Sequence, residues 1–370
     1  MDEETIKNPS RISKIRNWYG KYERPISSLS LIGGFVFDAV FLKRVDVFWE
    51  NFWVVLHLVV IATCMVFVHA LEKNEGDETN PSKAHFWLVN IIQFTFGGVL
   101  SVFLVFYFRS SDISASWPFL LILALAFWAN ESLKRHYVRL VFQISLFYLS
   151  LISFAIFLIP VVFHRIGSWI FVLSALLSLV VAALFVLLIS YAARSEFEKS
   201  KKWLYATIGG IFALVNILYF TNLIPPIPLS LKSEGVYHSL KRQADGNYLA
   251  ITEVQNWKRF FTLYPVYHKL AGEGVTVYSA IFAPSFLNTT VIHEWQHQNE
   301  KGDWVTANKV NLHIVGGRVG GFRTFSSKTN IAPGKWRVNV LTTRGQLIGR
   351  IRFKVEIANE LPRTEQKVND

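Results

Sequence analysis

The chain has 370 residues, 52% of them hydrophobic and 17% charged, with a mean hydropathy of +0.31 and a formal net charge of +12. A soluble domain carries about 25% charged residues, so a wholly water-soluble protein is excluded. Cys64 is the only cysteine, which excludes an intrachain disulfide and a cysteine-based zinc cluster.

Residues 1–25 form a basic tail with no apolar core of the kind a cleavable signal peptide needs. The first membrane helix is therefore expected to act as an uncleaved anchor. Residues 26–223 are mostly long apolar runs. A helix of about 20 apolar residues crosses a bilayer, and seven candidate spans follow: 26–42, 51–70, 86–108, 115–130, 138–163, 168–193 and 203–223. The first is the weakest, being short and carrying Asp38. With the N-terminus in the cytoplasm, seven spans leave fifteen Lys/Arg in cytoplasmic segments and four in the opposite loops. That is the bias expected of short loops, and dropping the first span erases it. An odd count carries the C-terminal part out of the cytoplasm. Trp18, Trp49, Trp53, Trp87, Trp117, Trp169 and Trp203 lie near predicted helix ends, as in an interfacial aromatic belt.

Asp38, His57, Asn90, Gln93, Gln143 and Asn216 fall within the spans. An ionisable group at membrane depth is costly and marks a functional candidate. Asp38 could relay protons or bind a cation. It could also be a structural partner of His57 or Asn216, or sit near the outer interface. A transporter usually shows internal repeats or broken helices. The pairs Gly33-Gly34, Gly97-Gly98 and Gly209-Gly210 suit packing or kinks, but no repeat is evident.

Residues 224–234 open with Ile224-Pro225-Pro226-Ile227-Pro228, a stiff exit that cannot continue a helix. Residues 235–358 then read as short strands between turn signals. Gly235–Thr252 is a hairpin candidate with Asp245-Gly246 at its turn. Gly274–Pro284 is a strand ending at proline. Asn308–Gly317 alternates Val310, Leu312 and Ile314 against Asn311 and His313. Many short strands without a disulfide suggest an Ig-like β-sandwich, followed by a polar tail over 359–370.

The segment Gly334–Val355 is the most legible. With Arg344-Gly345 at a two-residue turn, Trp336 faces Phe353, Val338 faces Ile351 and Val340 faces Gly349, so that face is core. The other face pairs Lys335 with Lys354, Arg337 with Arg352 and Asn339 with Arg350. A one-residue slip would bury the charges, so the apolar pattern fixes the register. Opposed like charges destabilise a sheet, and an anionic partner is one explanation. A solvated face relieved by nearby carboxylates, with cations guarding a sheet edge, is the other. Residues 232–370 carry nineteen Lys/Arg against eleven Asp/Glu.

His293-Glu294-Trp295-Gln296-His297 matches the H-E-x-x-H spacing of zinc proteases. Two such histidines converge only on a helix, about 6 Å apart, whereas four strand steps cover about 13 Å. The β-branched run Thr289-Thr290-Val291-Ile292 before the motif and the turn cluster Asn299–Asp303 after it favour a strand. His293, Trp295 and His297 then share one side with Val291, and Glu294 faces away. No catalytic residue and no metal ligand set is assigned, and no cofactor is expected. Gly316–Phe322 is a glycine turn rather than a nucleotide loop.

The series His293-x-Trp295, Gly316-Gly317-Arg318, Gly321-Phe322-Arg323-Thr324-x-Ser326, Pro333-Gly334-x-Trp336-Arg337-Val338 and Ile348-Gly349-Arg350 resembles the prokaryotic family named domain of unknown function 2914. The resemblance covers roughly Gly235 to Glu356 and is strongest after Ile281. It implies an envelope protein with this domain after several membrane helices, and it supplies no activity. Within the signature it implies, Arg323, Arg337 and Arg350 are the surface candidates and Trp336 is core.

The expected protein is thus a multi-pass membrane protein with a helical bundle and an extracytoplasmic β-sandwich. Its candidate basic face is Arg323, Lys335, Arg337, Arg350, Arg352 and Lys354, and His293, Trp295, His297 and Arg318 are candidate site-lining residues. The expected role is non-catalytic binding of lipid headgroups, an anionic envelope polymer or a protein partner, at the lipid bilayer and without nucleic acid. The alternatives are a transporter or sensor using Asp38, and a zinc protease using His293, Glu294 and His297.

Overall fold

In a bilayer the backbone must satisfy its own hydrogen bonds, so long apolar runs become helices. The computed structural model describes residues 32–42, 46–72, 83–132, 139–244, 247–254, 262–318, 320–360 and 362–369. Among these are helices α1 (Ile32–Phe41), α2 (Phe48–Glu72), α3 (Lys83–Arg109), α4 (Ile113–Ser132), α5 (Leu140–Phe163), α6 (Ser168–Ala192) and α7 (Arg194–Phe220). The last six are long and apolar enough to cross a membrane. Helix α1 is too short as described, and the start of the expected span 26–42 lies outside the described residues.

Helix α6 illustrates how sequence divides the faces. Ser174, Ala175, Ser178 and Ala182 are buried, while Leu177, Val180, Leu184 and Leu188 are exposed. Small residues let helices approach closely, and the serine hydroxyls bond back to carbonyls of their own helix, Ser174 to Ile170 at 2.7 Å. Exposed tryptophans mark both ends of the bundle. Trp49, Trp117 and Trp169 lie at helix starts on one end, and Trp87, Trp128 and Trp203 lie at the other.

The chain leaves α7 at Phe220 and enters a β-rich region. Its strands are β1 (Ser230–Tyr237), β2 (Ser239–Arg242), β3 (Tyr248–Glu253), β4 (Val266–Lys269), β5 (Val275–Phe282), β6 (Asn288–Gln298), β7 (Trp304–Val315), β8 (Phe322–Lys328), β9 (Gly334–Thr342), β10 (Leu347–Ile357) and β11 (Thr364–Asn369). They form sheets ordered β1-β5-β8, β4-β10-β9-β6-β7 and β11-β3-β2. The first two share one apolar core, with Val277 and Ile281 of β5 against Trp295 of β6, Val338 and Val340 of β9 and Ile351 and Phe353 of β10.

The β9–β10 register matches the expected pairing at every position from Val340↔Gly349 to Lys354↔Lys335. The turn does not. Thr342 N–H donates to Gln346 O at 2.9 Å and Gly345 N–H to Thr342 O at 2.9 Å, so three residues make the loop rather than two. Gly345 takes φ +83°, the left-handed position such a loop needs. An irregularity between Leu347 and Gly349 then restores the expected register.

Two expected boundaries also change. The linker 224–234 ends early, because β1 begins at Ser230 and pairs with β5. The polar tail 359–370 contains β11, which adds to β3 with Gln366 opposite Ile251. An exposed edge strand needs no apolar face, so its sequence carries no alternation to read. The 235–252 segment divides: Gly235–Tyr237 belong to β1, and the hairpin is β2–β3 with Arg242 opposite Tyr248. Its expected turn, Asp245-Gly246, lies outside the described residues.

The β-rich region rests on the helix ends. Arg344, at the tip of the β9–β10 hairpin, stacks its guanidinium over Tyr219 at 4.5 Å and Phe220 at 5.4 Å and donates to the Ser168 hydroxyl.

Candidate functional site

Strand β6 carries His293-Glu294-Trp295-Gln296-His297, and period-two geometry sends its side chains to opposite faces. His293 and Trp295 point into the core and are fully buried. His293 Nε2 lies 2.8 Å from Ser279 Oγ and Nδ1 lies 2.9 Å from Ser326 Oγ. Trp295 Nε1–H donates to the same Ser326 oxygen at 2.9 Å, and Ser279 Oγ meets Thr324 Oγ1 at 2.8 Å. One directed circuit satisfies all of these atoms: Trp295 to Ser326, Ser326 to His293 Nδ1, His293 Nε2 to Ser279, and Ser279 to Thr324. That circuit needs a neutral imidazole. Burial supplies it, holding the His293 pKa down at about 4. His297 sits farther along, its ring 5.3 Å from that of Trp336.

A zinc site is not what this strand builds. Both nitrogens of His293 are committed to hydroxyls, and Glu294 lies on the opposite face bonded to Asn339. Among the described residues, no group of three His, Cys, Asp or Glu is placed to hold a metal ion.

The outer face of the same sheet is polar and cationic. Glu294 accepts from Asn339 Nδ2 at 3.0 Å, from Gln296 Nε2 at 3.0 Å and from Thr306 Oγ1 at 3.2 Å, and it pairs with Lys309 at 3.1 Å. Burial works to raise its carboxyl pKa, but the Asn339, Lys309 and Thr306 contacts outweigh burial and hold it below the ordinary value. Arg337 Nε–H donates to Gln296 Oε1 at 2.7 Å, and Arg350 Nε–H to Asn339 Oδ1 at 2.7 Å.

Aromatic rings carry part of this face. Arg337 lies over Trp304 at 4.2 Å and Lys335 over Tyr264 at 5.3 Å. The two rings are nearly parallel, at 12° and 6.1 Å. Lys354 pairs with Glu356 at 2.7 Å. Burial, then the nearby Arg350 and Arg352, lower the pKa of the Arg337 guanidinium, the mark of cations crowding one another.

Lys335, Arg337, Arg350, Arg352 and Lys354 therefore share one face of β9–β10. Arg323 does not. It stands on β8, in the other sheet, where Nη1–H donates to Asn247 Oδ1 at 2.9 Å. Arg318 is in the exposed turn after β7, over Phe322 at 6.0 Å.

In the helical part, Asp38 of α1 and His57 of α2 line one cavity of about 510 Å³, while Asn216 bonds its own helix at Phe212. Sequence reading missed a second polar cluster. His69 of α2 is buried, with Nε2 3.1 Å from Gln143 Oε1 and Nδ1 2.8 Å from Glu196 Oε2. Glu196 begins α7 outside the expected span 203–223, so apolar-run counting gave no reason to look for it.

No curated protein matches the chain. Among solved structures, Pseudomonas fluorescens alkylpurine DNA glycosylase AlkC, bound to DNA containing an abasic site analog, is similar at 10% identity over 84% of this chain and 99% of that one. The TM-score is 0.20, too low to carry an argument. The span of likeness to the unknown-function family is narrower than the 235–356 that the motifs suggest. Residues 288–355, from the start of β6 to Val355 in β10, in the C-terminal part of the chain, match the family model described as protein of unknown function (DUF2914).

Proposed function

We propose that this is a prokaryotic envelope protein whose membrane helices anchor a non-catalytic, Ig-like binding domain outside the cytoplasm. The domain presents the β9–β10 face, with Lys335, Arg337, Arg350, Arg352 and Lys354, to an anionic partner. One observation carries the reading: Arg337 is paired directly with Arg352, and Lys335 with Lys354. Opposed like charges disfavour a sheet, a cost that an anionic partner offsets. The parallel rings of Tyr264 and Trp304 beside these cations add flat contact area of the kind a polymer can lie along. The excess of Lys/Arg in the segments placed on the N-terminal side supports the orientation.

The test is binding of soluble polyphosphate to the full-length chain in phosphatidylcholine nanodiscs. Reversing Arg337, Arg350 and Arg352 to glutamate is expected to abolish it. Binding that survives the triple reversal refutes the proposed face.

A second reading rests on Asp38, which lines a cavity with His57 and so has the surroundings of a coupling carboxylate in a transporter or sensor. Flux in reconstituted vesicles lost in Asp38→Asn would support it, and unchanged flux would remove Asp38 from that role.

A further inference from the structure

Where β10 meets the helices, the membrane-proximal end of the basic face opens into a cleft of about 470 Å³. One wall is the turn between α3 and α4, with Arg109, Asp112, Ile113 and Ser114. The other is β10 with Arg350 and Arg352, and β1 with Leu231 and Glu234. Three guanidinium groups from two distant parts of the chain thus line one opening.

Two carboxylates face these three guanidinium groups, so the lining keeps an excess of positive charge. Asp112 caps α4, accepting from Ser114 N–H at 3.0 Å and from the Ser114 hydroxyl. Glu234 is the other. Arg109 donates to the Ala39 and Leu42 carbonyls at the end of α1, and Arg350 reaches the Ser114 hydroxyl at 3.4 Å. Arg352 has neither kind of contact and lines the opening.

Position decides what such a cleft meets. It lies where α3 ends and α4 begins. Phe108, Ile113 and Trp117 beside it are exposed, at 56%, 55% and 56%. Apolar and tryptophan side chains at the ends of membrane-length helices sit at headgroup depth. Leu231 and Ile348 give the cleft an apolar wall behind its cations. A volume of this size holds a small ligand group, and paired guanidinium groups suit phosphate oxygens.

We propose that this cleft binds the phosphate group of an anionic membrane lipid, held by Arg350 and Arg352 with Arg109 adding charge. The proposal rests on the anion-binding reading of the β9–β10 face, and it assigns the membrane-proximal end of that face to lipid.

The experiment is native mass spectrometry of the full-length chain released from phosphatidylcholine nanodiscs doped with phosphatidylglycerol. The wild type is expected to retain phosphatidylglycerol in preference to phosphatidylcholine. Retention should fall about tenfold or more in Arg350→Ala/Arg352→Ala and be largely kept in Arg350→Lys/Arg352→Lys, which separates charge from fold. Equal retention of both lipids by the wild type, or no loss in the alanine pair, overturns the proposal. Inorganic phosphate displacing phosphatidylglycerol at millimolar concentration also overturns it, in favour of a soluble anion.

Polyphosphate binding by Lys335→Glu/Arg337→Glu separates the two levels. Its loss with lipid retention intact supports both sites as distinct. Its persistence counts against the broader reading while the lipid site stands or falls on its own data.

Discussion

Ser326 Oγ lies 2.9 Å from His293 Nδ1, and this contact joins the two β-sheets across their shared core. The same oxygen accepts from Trp295 Nε1–H at 2.9 Å, so three residues of the family motifs form one internal circuit. Replacing Ser326 with alanine leaves the buried Nδ1 without a partner, at a cost of about 1–3 kcal/mol. Chemical denaturation of the full-length chain in detergent, followed by tryptophan fluorescence, is the check.

The same circuit predicts a pH dependence. The unfolded chain protonates His293 near 6.5, and the folded chain only near 4. Between those values the unfolded state binds more protons. The contribution is therefore whole above pH 6.5 and is lost as the pH falls to 4, by about 3 kcal/mol. Glutamine at 293 keeps hydrogen-bonding capacity without the titration. A His293→Gln variant should lose less stability than the wild type between pH 7 and 4, and equal losses would show that His293 does not titrate as buried.

Arg344 predicts how the two parts of the chain hold together. Its guanidinium on Tyr219 and Phe220 and its bond to Ser168 are worth roughly 1–2 kcal/mol together. Arg344→Ala should leave both parts folded but loosen their contact. Faster proteolysis or hydrogen exchange at residues 221–229 is the expected readout.

Glu294 is the carboxylate that holds Lys309 and, through Asn339 and Gln296, positions Arg350 and Arg337. Glu294→Gln keeps the shape and removes the charge. Polyphosphate affinity should rise roughly fivefold at low ionic strength and converge with wild type at high salt. A fall in affinity would show that positioning, not net charge, governs the face.

What could be read in the sequence followed the strength of local periodicity. The β9–β10 pairing was legible because Trp336, Val338 and Val340 alternate with charged and polar residues, and only one register hides them. The strand conformation of His293–His297 was legible from its β-branched approach. The loop length was not, because a three-residue turn followed by a bulge ends in the same register as a two-residue turn. Strand β11 was missed because an exposed edge shows no apolar alternation. Arg323 was grouped with the basic face by motif, although its partner Asn247 lies 76 positions away, on a contact no local pattern encodes. The contacts of Arg344, Glu196 and Glu234 are likewise long-range products of assembly.

The most direct measurement is labelling of a single introduced cysteine in intact cells. Cys64 is buried in α2, and Thr329 after β8 is exposed. A Cys64→Ala/Thr329→Cys chain should react with a membrane-impermeant maleimide added outside the cytoplasmic membrane, without permeabilisation. Reaction only after that membrane is opened would put the basic face in the cytoplasm and contradict the account.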